Sequence, residues 1–229
     1  MSKQPTQGRR RFLTGIGVVA TGATLTATAQ AAQNHGGQHH DFVPQRHSED
    51  AWLDANSASH RVFLDSSTTS GGITALNYAN NILLGHAEGY DGSDSDYSII
   101  VCFRHQATPL GYNDAMWEKY GEQFSTSMRF NDPRTDAPFK ANPMRMARGD
   151  FSNRGNTIDM LIARGISYAI CNKATRSISA FVSRATGAST EDIYQELVIN
   201  NIPNSRFVPA GVLAATRSQE YGYSLLYAG

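Results

Sequence analysis

Cysteine is scarce. The 229 residues hold two, Cys102 and Cys171, too few for the disulfide framework that braces many small exported domains. Each falls in an apolar run and is expected in a buried strand; whether the two pair depends on strand order, which the sequence leaves open. Long apolar runs are missing as well. Beyond Ala31 no stretch approaches the roughly 20 apolar residues of a bilayer span, so no stable membrane span is expected in the mature chain. Charge is sparse, at 17% Asp, Glu, Lys and Arg, and forms no basic stripe, which argues against a nucleic-acid partner. The polar turn Ser66-Ser-Thr-Thr-Ser-Gly-Gly72 lacks both Gly-x-Gly-x-x-Gly and Gly-Lys-Ser/Thr, so it is not read as a nucleotide site. Glu88-Gly-Tyr-Asp-Gly-Ser-Asp-Ser-Asp96 lacks the spaced glutamate of a calcium loop and reads as a solvated turn. No internal repeat is present.

What is there begins with an address. Arg9-Arg10-Arg11-Phe12-Leu13-Thr14 is a twin-arginine pattern, followed by a weakly apolar stretch to Ala27 and by Ala29-Gln30-Ala31, a small-x-small cleavage signal. Residues 1–31 are therefore expected to be a signal peptide handed to the twin-arginine export machinery, and the mature protein is expected in the periplasm. Four of the 20 basic residues (Lys3, Arg9, Arg10, Arg11) lie in that segment, which has no acid; 16 bases against 20 acids leave the mature chain at −4. Residues 32–59 read as a His- and Gly-rich flexible leader. His35, His39, His40 and His47 in it fix no coordination geometry, so a solvated linker is the preferred reading and no metal site is assigned. Trp52 and Leu53 are placed to pin a short helix against the domain.

From His60 onward, strand and helix patterns alternate. Strands are expected at 60–65, 97–103, 166–170, 206–209 and 223–227. Between them lie helices with apolar faces Ile73-Leu76-Ala79-Leu83-Ala87 and Ile178-Phe181-Val182-Ala185, and others opening at Thr108-Pro109, Ile158, Thr190 and Ala210-Gly211. Residues 122–153 read as an irregular insertion, too polar for a core and of the kind that serves as a lid, an oligomer contact or a mobile loop. This alternation predicts an α/β fold, three-layer with a mostly parallel sheet and right-handed crossovers.

The chemistry is expected where the run Gly165-Ile-Ser-Tyr-Ala-Ile-Cys171 meets Asn172-Lys-Ala-Thr-Arg-Ser177. An apolar strand ends on a thiol and a helix begins at once, with Asn172 as the expected cap. The carboxyl edge of an open α/β sheet is where ligands collect, and a helix N-terminus favours a thiolate. The alternative is that Cys171 is a small buried hydrophobe. Arg104 and His105 close the second strand on the same edge, while Lys173 and Arg176 lie on the first turn after Cys171. Asn113, Asp114 and Trp117 are candidates to line a pocket.

Leu161-Ile-Ala-Arg-Gly165 and the strand to Cys171, the following helix, Val208-Pro-Ala-Gly-Val212 and Gln219-Glu-Tyr-Gly-Tyr223 together resemble the DsrE/DsrF-like family of sulfur-handling proteins. Arg104-His105 and Asn113-Asp114-Ala-Met-Trp117 look like the same stretch in exported, twin-arginine members. The resemblance implies a flavodoxin-like three-layer fold, a homo-oligomer, and a cysteine that carries sulfane sulfur as a persulfide to and from a sulfur-donor or acceptor protein; no cofactor is expected. Cys171 is the matching position. Arg104, His105, Asn113, Asp114 and Lys173 are then the expected substrate-binding residues, giving a sulfur carrier or sulfurtransferase-like protein. The readings set against it are a non-catalytic oligomeric module binding a small ligand or partner, and a metal-binding protein using the His-rich leader. Export and the insertion at 122–153 depart from the family's best-understood cytoplasmic relays.

Overall fold

The computed structural model describes residues 43–54, 57–147 and 151–229. The twin-arginine segment and His35, His39 and His40 lie outside the described residues.

Strand β1 (His60–Ser66) leads through Thr68, whose side chain accepts the Gly71 N–H, into helix α1 (Thr69–Tyr90). Then follow β2 (Tyr97–Phe103), α2 (Asp114–Met128), α3 (Ile158–Ala163), β3 (Ser167–Cys171), α4 (Asn172–Thr186), α5 (Thr190–Ile199), β4 (Ser205–Val208), α6 (Gly211–Glu220) and β5 (Ser224–Ala228). Every strand pairing is parallel, and the order across the sheet is β4-β3-β2-β1-β5. The near-continuous apolar runs of the inner strands β1, β2 and β3 follow from this, because helices cover both of their faces.

Side chains alternate along each strand and so feed two cores. Val62, Leu64, Ile99, Val101, Phe103, Tyr168 and Ile170 pack with α1, α2, α4 and α5. Phe63, Ile100, Cys102, Ala169 and Val208 face the other way, against Ala214 and Ala215 of α6 and against Leu53. The result is a three-layer, flavodoxin-like α/β fold. Successive strands β1 to β4 step outward in one direction with their helices on one face. From β4 the chain returns through α6 across the opposite face to place β5 beside β1. The connections leaving β3 and β4 therefore diverge to opposite sides, which opens a crevice at their carboxyl ends.

Three expectations change. First, the helix expected from Thr108 is a 3-10 segment over His105–Gly111, and α2 starts only at Asp114. Tyr112 bridges to Asn201, and the Asn113 N–H donates to Asn200 O at 3.0 Å, which holds the backbone extended just before the helix. Second, in their described part residues 122–153 are irregular after Met128 apart from a 3-10 turn at Pro143–Arg145, but they are not too polar for a core. α2 continues to Met128, and Phe124, Phe139, Met144 and Phe151 are all buried. Phe130, Phe139 and Phe151 pack against one another, tilted or edge-on, at ring separations of 5.1 to 6.1 Å, while the buried Asn142 amide donates to Leu110 O and Tyr112 O at 2.8 Å each. Third, the packed domain begins before His60, with the short helix expected around Trp52 and Leu53. A 3-10 helix at Ser48–Asp54 buries Leu53 in the second core, and Arg217 holds Asp50 at 2.7 Å.

The acidic turn is anchored rather than merely solvated. Arg164 grips Asp94 with two hydrogen bonds of 2.8 Å, and the guanidinium holds that carboxyl below the usual carboxylate range against a smaller opposing effect of burial. This ties the end of α3 to the approach of β2.

Candidate functional site

Cys171 is the last residue of β3, paired with Val208 of β4, and is also the N-cap of α4. The cap lies one residue earlier than the sequence suggests. Asn172 is already helical, and its Oδ1 instead accepts the Tyr194 hydroxyl at 2.9 Å. Cys171 Sγ takes up the capping role, accepting the Ala174 N–H at 3.4 Å. A second donor comes from across the crevice: the Gly211 N–H reaches the same sulfur at 3.3 Å. Gly211 is the first residue of α6, whose cap residue Ala210 offers no side-chain hydrogen bond. Two helix N-termini on opposite faces of the sheet thus converge on one sulfur. Both dipoles present their positive ends to it, an arrangement suited to charge on sulfur or on a group attached to it.

Close approach of α6 depends on Gly211 having no side chain. A Cβ there would stand 2.7 Å from Arg104 Cβ and 3.2 Å from Cys102 Sγ. Gly211→Ala is therefore expected to push the α6 start away from Cys171 and cost about 1–3 kcal/mol, as overpacking does. Thermal melting checks this, and an unchanged midpoint would mean that the contact gives way without cost.

Around the sulfur lies an open hollow of about 290 Å³ bordered by Arg104, His105, Cys171, Lys173, Ser177 and Gly211, among others. Three expected substrate-binding residues are therefore brought to Cys171. Arg104 is fixed by a bidentate pair with Asp65, at 2.8 Å for both bonds. That carboxylate sits at the end of β1 and reinforces the guanidinium charge. His105 is exposed and has φ of +52°, a left-handed conformation uncommon outside glycine and worth notice at an element end. Lys173 is also exposed.

Other expected members are elsewhere. Asn113 caps α2 by accepting the Met116 N–H at 3.2 Å and also contacts Asn200. Asp114 accepts the Asn142 N–H and pairs with Arg145 at 2.9 Å. Trp117 is fully buried, with its indole N–H on Pro109 O at 3.0 Å. None of the three borders the Cys171 hollow, so their roles are capping and packing. Arg176 turns away to Glu191 and the Tyr194 ring.

Cys102 does not border the hollow. It is fully buried and unpaired; burial pushes its thiol up, and Asp65 and Cys171 add to that. In the β2–β3 ladder its partner is Ala169, two residues short of Cys171. A strand spacing of about 4.8 Å and a two-residue rise of about 6.6 Å separate the two Cα atoms by about 8 Å, beyond the usual reach of a disulfide.

Sequence reasoning missed Asp65 as the support of Arg104 and the Gly211 N–H as a second donor. Asp65 ends a strand and carried no motif; Gly211 was visible only as a turn residue. Among the described residues, no group of three or more His, Cys, Asp or Glu is placed to hold a metal, and no helix is long and apolar enough to cross a membrane.

No family model and no curated protein matches this chain. Among solved structures it is similar to a protein of unknown function, MTH1491 from Methanobacterium thermoautotrophicum, with 12% identity, 73% of this chain and 98% of that chain covered, and a TM-score of 0.37.

Proposed function

We propose that this protein is a DsrE/DsrF-like sulfur carrier that holds sulfane sulfur as a persulfide on Cys171. The observation that carries the reading is the sulfur itself, lining a hollow with Arg104, His105 and Lys173 while two helix N-termini donate N–H groups to it. The Cys171 thiolate attacks the outer sulfur of a polysulfide anion. The S–S bond behind that sulfur breaks, its electron pair leaves with the shortened polysulfide, and Cys171–S–S⁻ remains. An acceptor thiolate then takes the terminal sulfur and returns the Cys171 thiolate, so the cycle needs no net oxidant and no cofactor. Arg104 and Lys173 attract the anionic donor, and His105 is placed on the same hollow to take the thiol proton or return one to the leaving group.

The twin-arginine pattern at residues 9–14 and the cleavage signal at 29–31 support a periplasmic location, with a homo-oligomer and a partner thiol protein as the working assembly. The test is mass spectrometry of the protein after treatment with inorganic tetrasulfide. A reducible gain of sulfur on the Cys171 peptide is expected. An accessible, alkylatable Cys171 that acquires none would overturn the proposal in favour of a ligand-binding module.

A further inference from the structure

Beside the thiol hollow lies a second, of about 220 Å³, bordered by His105, Gln106, Ser127, Ala174, Ile178 and Phe181, and by Ser177. The two hollows have His105, Ala174 and Ser177 in common. On α4, the positions 171, 174, 177, 178 and 181 recur at three and four and so form one stripe. That stripe begins on the reactive sulfur and ends on an aromatic ring about 15 Å away, at 1.5 Å per residue. Its two ends differ in character. Near Cys171 stand the cations Arg104 and Lys173, which border only the thiol hollow; farther along, the walls are Ala174, Ile178 and the half-buried Phe181. Inorganic sulfur anions would use the first part alone.

We infer that the sulfur donor or product handled here is an organic hydropersulfide, R–S–S⁻, whose anionic sulfur end lies at Cys171 and whose apolar R group lies along Ala174, Ile178 and Phe181. The inference rests on the sulfur-transfer reading and names its substrate class. Charge complementarity orients the ligand, since the cations stand only at the thiol end. In the step, the Cys171 thiolate attacks the terminal sulfur of R–S–S⁻. The S–S bond breaks, R–S⁻ departs with the electron pair, and Cys171–S–S⁻ forms with charge conserved.

Two donors separate this inference from the reading beneath it: benzyl hydropersulfide, which carries an aromatic R group, and inorganic tetrasulfide, which carries none. With the full mature chain, Phe181→Ser is expected to slow Cys171 persulfide formation from benzyl hydropersulfide about tenfold, the scale of a lost aromatic contact. The rate with tetrasulfide should stay at the wild-type value, which also certifies that the variant is folded. Equal rates for variant and wild type with both donors would overturn the organic substrate while leaving the sulfur carrier standing. If neither donor sulfurates wild-type Cys171, both fall. Should Phe181→Ser lose reaction with both donors, Phe181→Leu decides by the same comparison. It keeps apolar bulk but removes the ring, and a selective slowing with the benzyl donor supports the subsite, while equal rates, or slowing equal for the two donors, overturn it.

Discussion

Cys171→Ser is expected to abolish persulfide formation while leaving the fold intact. Serine is a preferred N-cap, so its Oγ can accept the Ala174 N–H that Sγ now accepts at 3.4 Å; the melting midpoint should hold or rise slightly, within about 1 kcal/mol. The hydroxyl is no nucleophile towards sulfane sulfur near neutral pH, because it lacks the accessible anion that a thiol supplies. Cys102→Ala should behave in the opposite way. Its side chain is wholly enclosed between the sheet and α6, so truncation leaves a small cavity costing on the order of 1 kcal/mol but spares sulfur uptake. Intact-mass measurement after tetrasulfide treatment, paired with thermal melting, reads both. Sulfur appearing on Cys102 in the Cys171→Ser protein would assign the chemistry to the wrong thiol.

Asp65→Ala carries the second large effect. The Asp65 carboxylate is nearly enclosed, and it accepts two hydrogen bonds from Arg104, whose side chain is 22% exposed. Removing one partner of a buried pair costs about 3–5 kcal/mol when the other is left dry. Here the guanidinium can reach water, so about 2 kcal/mol is the better figure. For a chain of this size that lowers the melting midpoint by about 4–8 °C. Activity should suffer separately, because a guanidinium released from Asp65 is no longer held at the rim of the Cys171 hollow. Tetrasulfide-dependent persulfide formation is expected to fall about tenfold even at temperatures where the variant is fully folded. Asp65→Asn keeps one acceptor and should lie between. A melting midpoint within about one degree of wild type would show that the pair is too solvated to matter.

Much of the fold was legible because the signals are local. Strand β2 runs from Tyr97 to Phe103 as its apolar run implies, and Cys171 joins a strand to a helix as the change from continuous to three-and-four spacing implies. The misreadings share a cause as well. Thr108-Pro109 looked like a helix start, but pairing of Tyr112 and Asn113 with the chain at 200–201 kept the backbone extended until Asp114. The buried aromatics Phe124, Phe139 and Phe151 lie too far apart to show a period, so a packed segment read as a polar excursion. Asn113 and Asp114 carried donor and acceptor groups suited to a pocket, and these are used in capping α2 and in an ion pair with Arg145.

The sequence by itself determined that a thiol stands at a strand-to-helix junction in a parallel α/β sheet, with Arg104 and His105 on the same edge. Periodicity and the end of an apolar run are properties of neighbouring residues, and they survive any arrangement of the strands. Only the tertiary structure decided what surrounds that thiol. The β2–β3 register set Cys102 opposite Ala169, two residues short of Cys171, and so kept the two cysteines apart. Reversal of the chain after β4 sent α6 over the opposite face, where Gly211 donates to Cys171 Sγ from 40 residues away. The pairing of Asp65 with Arg104 spans 39 residues in the same way. Such contacts depend on which strand lies beside which and on the face each crossover takes, and no local pattern encodes either.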